Sequence, residues 1–247
     1  MRLKKKTAII TGAGGHLGRG TAVRMAKEGA RIMVNDINLA AAKKTGQLIA
    51  GEGQSVLISS ADVTRTDDVN KMVSEALGEW GQIDILVNNA GDIRDALLPN
   101  MSDDQWNFVI DLNLKGTFLC SRAVSPHMIE RCYGKIVNLA SMAYKGNVGQ
   151  ANYSAAKSGI VGLTRAVGLE LARYGINVNC ISPGMIDTPR TREALDEKTV
   201  ERIVRKTPMR KMVEIIDIAN AILFLVSDDS KFITRQVIHV AGGIEGL

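Results

Sequence analysis

Residues 7–18 read Thr7-Ala8-Ile9-Ile10-Thr11-Gly12-Ala13-Gly14-Gly15-His16-Leu17-Gly18, and this stretch decides the fold. The run Thr7 to Thr11 is continuously apolar or β-branched, which marks a strand covered on both faces. A glycine-rich turn follows it, and then an amphipathic segment from Leu17 to Glu28. Glycines at such a turn let the backbone bend tightly and approach a pyrophosphate, which rests at the positive end of the next helix. Gly12, Gly14, Gly15, His16, Leu17 and Gly18 are therefore candidates for holding a dinucleotide. The strict G-x-G-x-x-G spacing fails at Leu17, whereas a looser T-G-x-x-x-G-x-G fits at Gly12 and Gly18 with His16 in its middle glycine position. The His16 ring adds bulk beside the phosphates and a donor that can bond one of them.

The same alternation continues outward. Strand candidates are Arg31 to Asn35, Ser55 to Ser59, Ile83 to Asn88, Lys135 to Leu139, Asn177 to Ile181 and Gln236 to Val240. Helical patterns cover Leu39 to Ala50, Asp67 to Glu79, Ser102 to Arg131, Asn152 to Arg173 and Ile215 to Val226. Seven strands alternating with helices predict an α/β class protein, a doubly wound Rossmann-type domain with a seven-stranded parallel sheet flanked by helices, spanning residues 1–247. The least regular part, residues 187–208, is charged, contains Pro189 and Pro208, and follows the sixth strand. Ligands of open parallel sheets bind outside the carboxyl ends of the strands, so this insert is expected to act as a substrate lid.

Composition narrows the function classes. The longest strongly apolar run, Ala221 to Val226, falls far short of the roughly 20 residues that span a bilayer, so no membrane segment is expected. Lys4, Lys5 and Lys6 precede an apolar stretch broken at Gly12, which reads as the start of a strand rather than a secretion signal. Cys120, Cys132 and Cys180 lack the spacing of a metal or redox site; they suit a reducing cytoplasm, and no metal is expected. The net charge of +5 is dispersed, so a nucleic-acid partner is not expected either.

Asp36 closes the second strand, eighteen residues beyond Gly18. A carboxylate there accepts hydrogen bonds from ribose hydroxyls and repels a 2′-phosphate, which favours NAD(H), with NADP(H) as the alternative. An aspartate capping the next turn is the plainer explanation of the same residue. Tyr153 and Lys157, four apart, share a helix face, with Ser141 shortly upstream and Asn113 further back. A free phenol ionises near a pKa of about 10, and an ammonium about 4 Å away is worth roughly 4 kcal/mol at an effective dielectric near 20, enough to lower it by nearly three units. The pair is therefore expected to make a phenol able to exchange a proton at neutral pH; by itself the spacing also fits a tyrosine and lysine stacked along a solvated helix.

Taken together in order, the glycine loop, Asp62-Val63, Asn88-Asn89-Ala90-Gly91, Asn113, Ser141, Tyr153-x-x-x-Lys157 and Pro183-Gly184 with Thr188 resemble the short-chain dehydrogenase/reductase family over essentially the whole chain. The resemblance implies an oxidoreductase moving a hydride between a nicotinamide cofactor and a small secondary alcohol or ketone. It implies Tyr153 as general acid/base, Lys157 lowering its pKa and holding the nicotinamide ribose, Ser141 orienting the substrate oxygen, and Asn113 supporting a water relay to Lys157. By the same likeness Asp62 and Val63 hold the adenine, Asn89, Ala90 and Gly91 line the cofactor groove, Thr188 or the backbone nearby grips the carboxamide, and Pro183, Gly184 and Ile186 also contact the cofactor.

Within the family the chain is most similar to 3-oxoacyl-acyl-carrier-protein reductases, through Arg94-Asp95, Leu97-Leu98, Met101, Trp106 and Gly149-Gln150-Ala151-Asn152. It departs from them at Asp36, and at Cys132 and Tyr174, where they tend to carry carrier-docking arginines; Arg131 and Arg173 stand immediately before each, which leaves an acyl-carrier-protein partner open. The Ser141 to Tyr153 separation is one residue short of the common one, and Arg235 and Ala241 replace a usual Gly and Asp. Small residues at Gly116, Ala155, Ala156, Gly159 and Gly162, with the broadly apolar Ile215 to Val226, point to a homo-oligomer, and the resemblance implies a tetramer. A dinucleotide-binding scaffold without catalysis is the competing reading from another class.

Overall fold

In the computed structural model, residues 1–244 are described; the last three residues of the expected domain, 245–247, lie outside the described residues. The strands are β1 (Thr7–Thr11), β2 (Arg31–Asn35), β3 (Val56–Ser59), β4 (Ile85–Asn88), β5 (Gly134–Leu139), β6 (Ile176–Pro183) and β7 (Val237–Val240). They form one parallel sheet in the order β3-β2-β1-β4-β5-β6-β7. The order reverses between β1 and β4, so a crevice opens beyond their carboxyl ends. The helices are α1 (His16–Ala26), α2 (Leu39–Gly51), α3 (Thr66–Trp80), α4 (Asp103–Ile110), α5 (Gly116–Glu130), α6 (Ala151–Leu171), α7 (Pro189–Ala194), α8 (Glu197–Lys206) and α9 (Ile215–Val226).

Neighbouring residues of a strand face opposite sides of a sheet, and the core divides accordingly. Ile10, Val34, Val87 and Val137 pack with Ala22 and Met25 of α1 and Ile218 and Ile222 of α9. Ile9, Met33, Leu86 and Ile136, one position earlier on each strand, pack with Met72 of α3 and Val124 and Met128 of α5. Each such side chain contributes on the order of 1.5–3 kcal/mol by leaving water. The sheet is thereby fixed between two helical layers, and its carboxyl edge is held rigid.

Three expectations change in the structure. The segment Ser102 to Arg131 is not one helix: α4 and α5 are joined by a π-helical turn, Asp111–Lys115. Asn113 explains the interruption, because its Nδ2 donates to the carbonyl of Val109, at 2.9 Å, within the helix's own ladder. Pro126, by contrast, does not end α5; the Arg122 carbonyl it leaves without an amide accepts from Ser125 Oγ at 3.0 Å. The insert at residues 187–208 is not irregular but carries α7 and α8, started by Thr188 and Asp196, whose side chains accept from the amides of Thr191 and Thr199. Finally, the apolar breadth of α9 is mostly spent inside the chain, where Ile218, Ala219, Ile222, Leu223, Leu225 and Val226 are buried, leaving Ile216 and Phe224 exposed.

Candidate active site

Thr11 at the end of β1 ties the crevice together. Its Oγ accepts from the amides of Asn89 and Ala90, at 3.1 and 3.0 Å, and Asn89 Nδ2 donates back to the carbonyls of Thr11 and Gly12. The glycine loop is therefore clamped to the end of β4. Gly12 has φ +62, and a β-carbon on Gly18 would lie 2.4 Å from the Gly12 carbonyl oxygen, so neither position tolerates a side chain without backbone movement. A cleft of about 750 Å³ runs along this loop, lined by Gly12, Gly15, His16, Leu17 and Gly18, by Asp36, Asp62 and Val63, and by Asn89, Ala90 and Gly91. A bare backbone at a helix N-terminus on one side and a strand-end carboxylate on the other fit the pyrophosphate and ribose of a dinucleotide.

Gly14 does not line that cleft. It is buried, and its amide donates to Asp36 Oδ2 at 2.9 Å. Asp36 Oδ1 accepts from the Asn38 amide, so the turn-capping explanation of this aspartate holds as well, while the residue still faces the cleft.

A second cavity of about 360 Å³ adjoins the first and shares Leu17, Asn89, Gly91, Asp92, Ile186, Thr188 and Arg190 with it. Ser141, Tyr153 and Lys157 all open into it, as do Pro183 and Gly184. Ser141 caps a short 3₁₀ turn, its Oγ accepting from the Ala143 amide at 3.2 Å. Asn152 anchors the start of α6 by donating to the carbonyls of Arg94 and Gln105, which sets the position of the adjacent Tyr153. Lys157, one turn on, is only 4 % exposed, so the solvated-helix alternative fails.

The electrostatics differ from those expected. Lys157 Nζ donates to the Leu139 carbonyl at 2.7 Å and stands 5.3 Å from the centroid of the Tyr153 ring. Burial raises the Tyr153 phenol to about 12; the Ser141 hydroxyl pulls it down in part, and Asp95 and Asp92 push it further up. Burial lowers Lys157 to about 8. The ammonium is thus committed to a backbone oxygen and faces the ring, and in this arrangement burial leaves the phenol above its ordinary value.

Asn113 is fully buried and does not reach either cavity wall. Its Nδ2 donates to the Asp92 carbonyl at 2.9 Å as well as to Val109, and its Oδ1 has no partner among the described residues. A β-carbon on Gly91 would lie 2.5 Å from that Oδ1 and 3.6 Å from Lys157 Nζ, so the orphan oxygen and the ammonium flank the same small space. An unpaired buried amide oxygen is costly and suits a site for an ordered water.

Sequence reasoning did not find the ion pair between Arg190 and Asp92, 2.6 Å long, which joins α7 to the loop after β4. The available signal was Asp92 directly after Asn89-Ala90-Gly91 and an arginine just past Pro189. Leu139 and Ala140 on the β5 side, and Phe108, Asp111 and Leu112 in the glycine-loop cleft, also line the cavities unannounced. Among the described residues no group of three or more His, Cys, Asp or Glu side chains could hold a metal ion, and no helix is long and apolar enough to cross a membrane.

A family model described as "Enoyl-(Acyl carrier protein) reductase" matches residues 12–245. The chain is 45% identical over 243 residues to the (2S)-[(R)-hydroxy(phenyl)methyl]succinyl-CoA dehydrogenase subunit BbsD of Thauera aromatica, covering 98% of each. It is 40% identical over 244 residues to the 3-oxoacyl-[acyl-carrier-protein] reductase FabG of Staphylococcus epidermidis, covering 97% of this chain and 98% of that one. The solved structure of levodione reductase superposes with a TM-score of 0.94 at 32% identity, covering 98% of both chains. With relatives matched end to end and the crevice built as described, the chain belongs to the short-chain dehydrogenase/reductase family, oxidoreductases that pass a hydride between a nicotinamide cofactor and a CH–OH or carbonyl carbon.

Proposed function

We propose that this enzyme acts on a hydroxyacyl or oxoacyl thioester, using NAD(H) in preference to NADP(H). Tyr153 exchanges the alcohol proton, Ser141 orients the substrate oxygen, Lys157 holds the ribose of the cofactor, and Asn113 keeps a water behind Lys157. The observation that carries this reading is the opening of Ser141, Tyr153 and Lys157 into one cavity continuous with the glycine-loop cleft. The bound nicotinamide supplies or accepts the hydride. The chain's own residues move the proton: in ketone reduction the protonated phenol gives its proton to the oxygen as the carbon is reduced, and in alcohol oxidation the phenolate form takes the hydroxyl proton as hydride leaves the carbon.

The cofactor preference rests on charge. Asp36, Asp62, Asp92 and Asp111 line the cleft against one arginine, Arg190, among the described residues, and Arg190 is paired with Asp92. A 2′-phosphate near Asp36 adds charge of the wrong sign. Arg19, on the helix that follows the glycine loop, is turned onto the chain, donating to the Gly14 carbonyl and to Thr45.

The thioester class is supported by the two named relatives, one a dehydrogenase of a hydroxylated acyl-CoA and the other a 3-oxoacyl-carrier reductase. A coenzyme A thioester is preferred over a carrier protein, since Cys132 and Tyr174 stand where carrier-docking arginines are expected and the adjacent Arg131 is held by Asp84 at 2.9 Å. Residues 187–208 form the lid, contributing Thr188, Arg190 and Thr191 to the cavities. The protein is a cytoplasmic homotetramer in this reading: its cysteines are free thiols, and Trp106, Phe118, Ile216 and Phe224 remain as exposed apolar anchors.

The experiment is a panel of acetoacetyl thioesters and linear and cyclic alcohols run with NAD(H) and NADP(H) in parallel. Fastest turnover of a thioester with NAD(H) supports the reading, and a preference for NADP(H) or for a simple alcohol overturns the corresponding half of it.

A further inference from the structure

Asp92 is held from several sides. Its Oδ2 accepts from Arg94 Nη1 at 2.8 Å, and its Oδ1 accepts from the Ile93 amide at 2.9 Å and from Arg190 Nη2 at 2.6 Å. Arg94 is itself fixed, stacked 4.1 Å from the centroid of the Phe108 ring and donating to the Ile93 carbonyl. If Arg190 let go, Asp92 would still be bonded to Arg94 and to an amide, so Arg190 is its dispensable partner.

Arg190 itself is differently placed. Of the five N–H donors of a guanidinium, it spends one on Asp92 and makes no other hydrogen bond among the described residues. Its side chain is 67 % exposed and reaches from the insert into the cavity that also holds Ser141 and Tyr153. Of the described residues that line this cavity but not the glycine-loop cleft, Lys157 is the one charged group; Ile93, Ala143, Met185 and Thr191, with the amides of Asn147 and Gln150, are neutral. The nearby Asp95 does not line the cavity and is engaged by Gln150 Nε2 at 3.0 Å. A planar donor fork facing a reaction pocket matches a carboxylate bidentately.

We infer that Arg190 is a specificity-determining residue that exchanges its bond to Asp92 for a carboxylate carried by the substrate, so that the preferred substrate is an acidic hydroxyacyl or oxoacyl thioester. The inference rests on the thioester reading above. In the resting arrangement Asp92 occupies the guanidinium and holds α7 against the loop after β4. A substrate carboxylate replaces that single bond with two, and Asp92 falls back on Arg94 and the Ile93 amide without being left unpaired.

The test uses N-acetylcysteamine monothioesters of 3-oxo-diacids six to eight carbons long, each as the free acid and as its methyl ester, with wild type, Arg190→Gln and Arg190→Lys. The expected result is a ratio of kcat/KM for acid over ester of about 30 or more in wild type for at least one chain length. That ratio falls to near one in Arg190→Gln, mainly through KM, and is partly kept in Arg190→Lys. A wild-type preference for the ester, or an equal loss on both forms in Arg190→Gln, overturns the inference, the second outcome showing that Arg190 only holds the lid. A loss confined to the dissociation constant of NADH also overturns it, by assigning Arg190 to the cofactor. Absence of turnover on every thioester, acid or ester, removes the thioester reading itself and the inference with it.

Discussion

The Lys157 ammonium donates a hydrogen bond to the carbonyl oxygen of Leu139, 2.7 Å away, while lying over the face of Tyr153. The strand end at β5 thus fixes the lysine, and burial sets both titrations: the phenol near 12 and the ammonium near 8. The two directions of the reaction then respond differently to pH. Reduction starts from the phenol in its resting protonated form and needs a charged Lys157, so its kcat/KM stays level through neutral pH and falls above about pH 8. Oxidation needs the phenol to give up its proton before receiving another, so its kcat/KM climbs with pH up to about 8, above which loss of the Lys157 charge acts on both directions. Rate profiles in both directions between pH 6 and 10 check this, and parallel profiles would contradict it.

The buried lysine also governs stability. Its folded pKa of about 8 lies below the ordinary 10.5, so between those values the unfolded chain binds more protons than the folded one. Stability contributed by this group therefore rises with pH across that window, by roughly 3 kcal/mol at most. In Lys157→Met that increment disappears. Denaturant titrations of both proteins at pH 7.5 and 10.5 measure it, and an equal pH response in the two would count against the assignment.

Asp36→Ala removes the carboxylate facing the cleft together with the acceptor of the Gly14 amide. The ratio of kcat/KM for NAD(H) over NADP(H) should fall about tenfold or more, corresponding to about 1.4 kcal/mol of lost discrimination. Steady-state kinetics with the two cofactors read this directly. A ratio within twofold of wild type would place the discrimination elsewhere.

Gly18→Ala sets a methyl group 2.4 Å from the Gly12 carbonyl oxygen and 2.6 Å from Asn89 Nδ2, both in the clamp between β1 and β4. Backbone must shift, and the variant should lose about 1–3 kcal/mol of stability and bind NADH at least tenfold more weakly. Calorimetric unfolding and a fluorescence titration with NADH give the two numbers. Retention of both would mean that the loop yields more easily than its hydrogen bonds imply.

The sheet was legible in the sequence because buried parallel strands are written as continuous Val/Ile runs, and every one of the seven falls within about two residues of its expected place. The sequence marked Asn113 as a candidate site residue but not as the cause of a π-helical turn, since spacing alone does not say that its amide takes the Val109 carbonyl inside the helix's own ladder. Arg235 illustrates the same limit. The resemblance implies a glycine there, and the reason emerges only in three dimensions, where Arg235 has φ +64 and its side chain packs on Gly168. The expected depression of the Tyr153 pKa was wrong for a related reason. Spacing along α6 put Lys157 on the right face, but its hydrogen-bond partner belongs to β5, and the desolvation of both groups by the surrounding fold outweighs their mutual effect.

The central claim is that the Tyr153 hydroxyl, held beside Ser141 at the mouth of the cofactor cleft, is the group that moves the proton. Tyr153→Phe tests it most directly, with turnover of the best thioester and the dissociation constant of NADH measured on the same preparation. The account predicts a fall in kcat of about 10²–10⁴-fold with NADH affinity within threefold of wild type. Turnover within tenfold of wild type, with cofactor still bound, would contradict it.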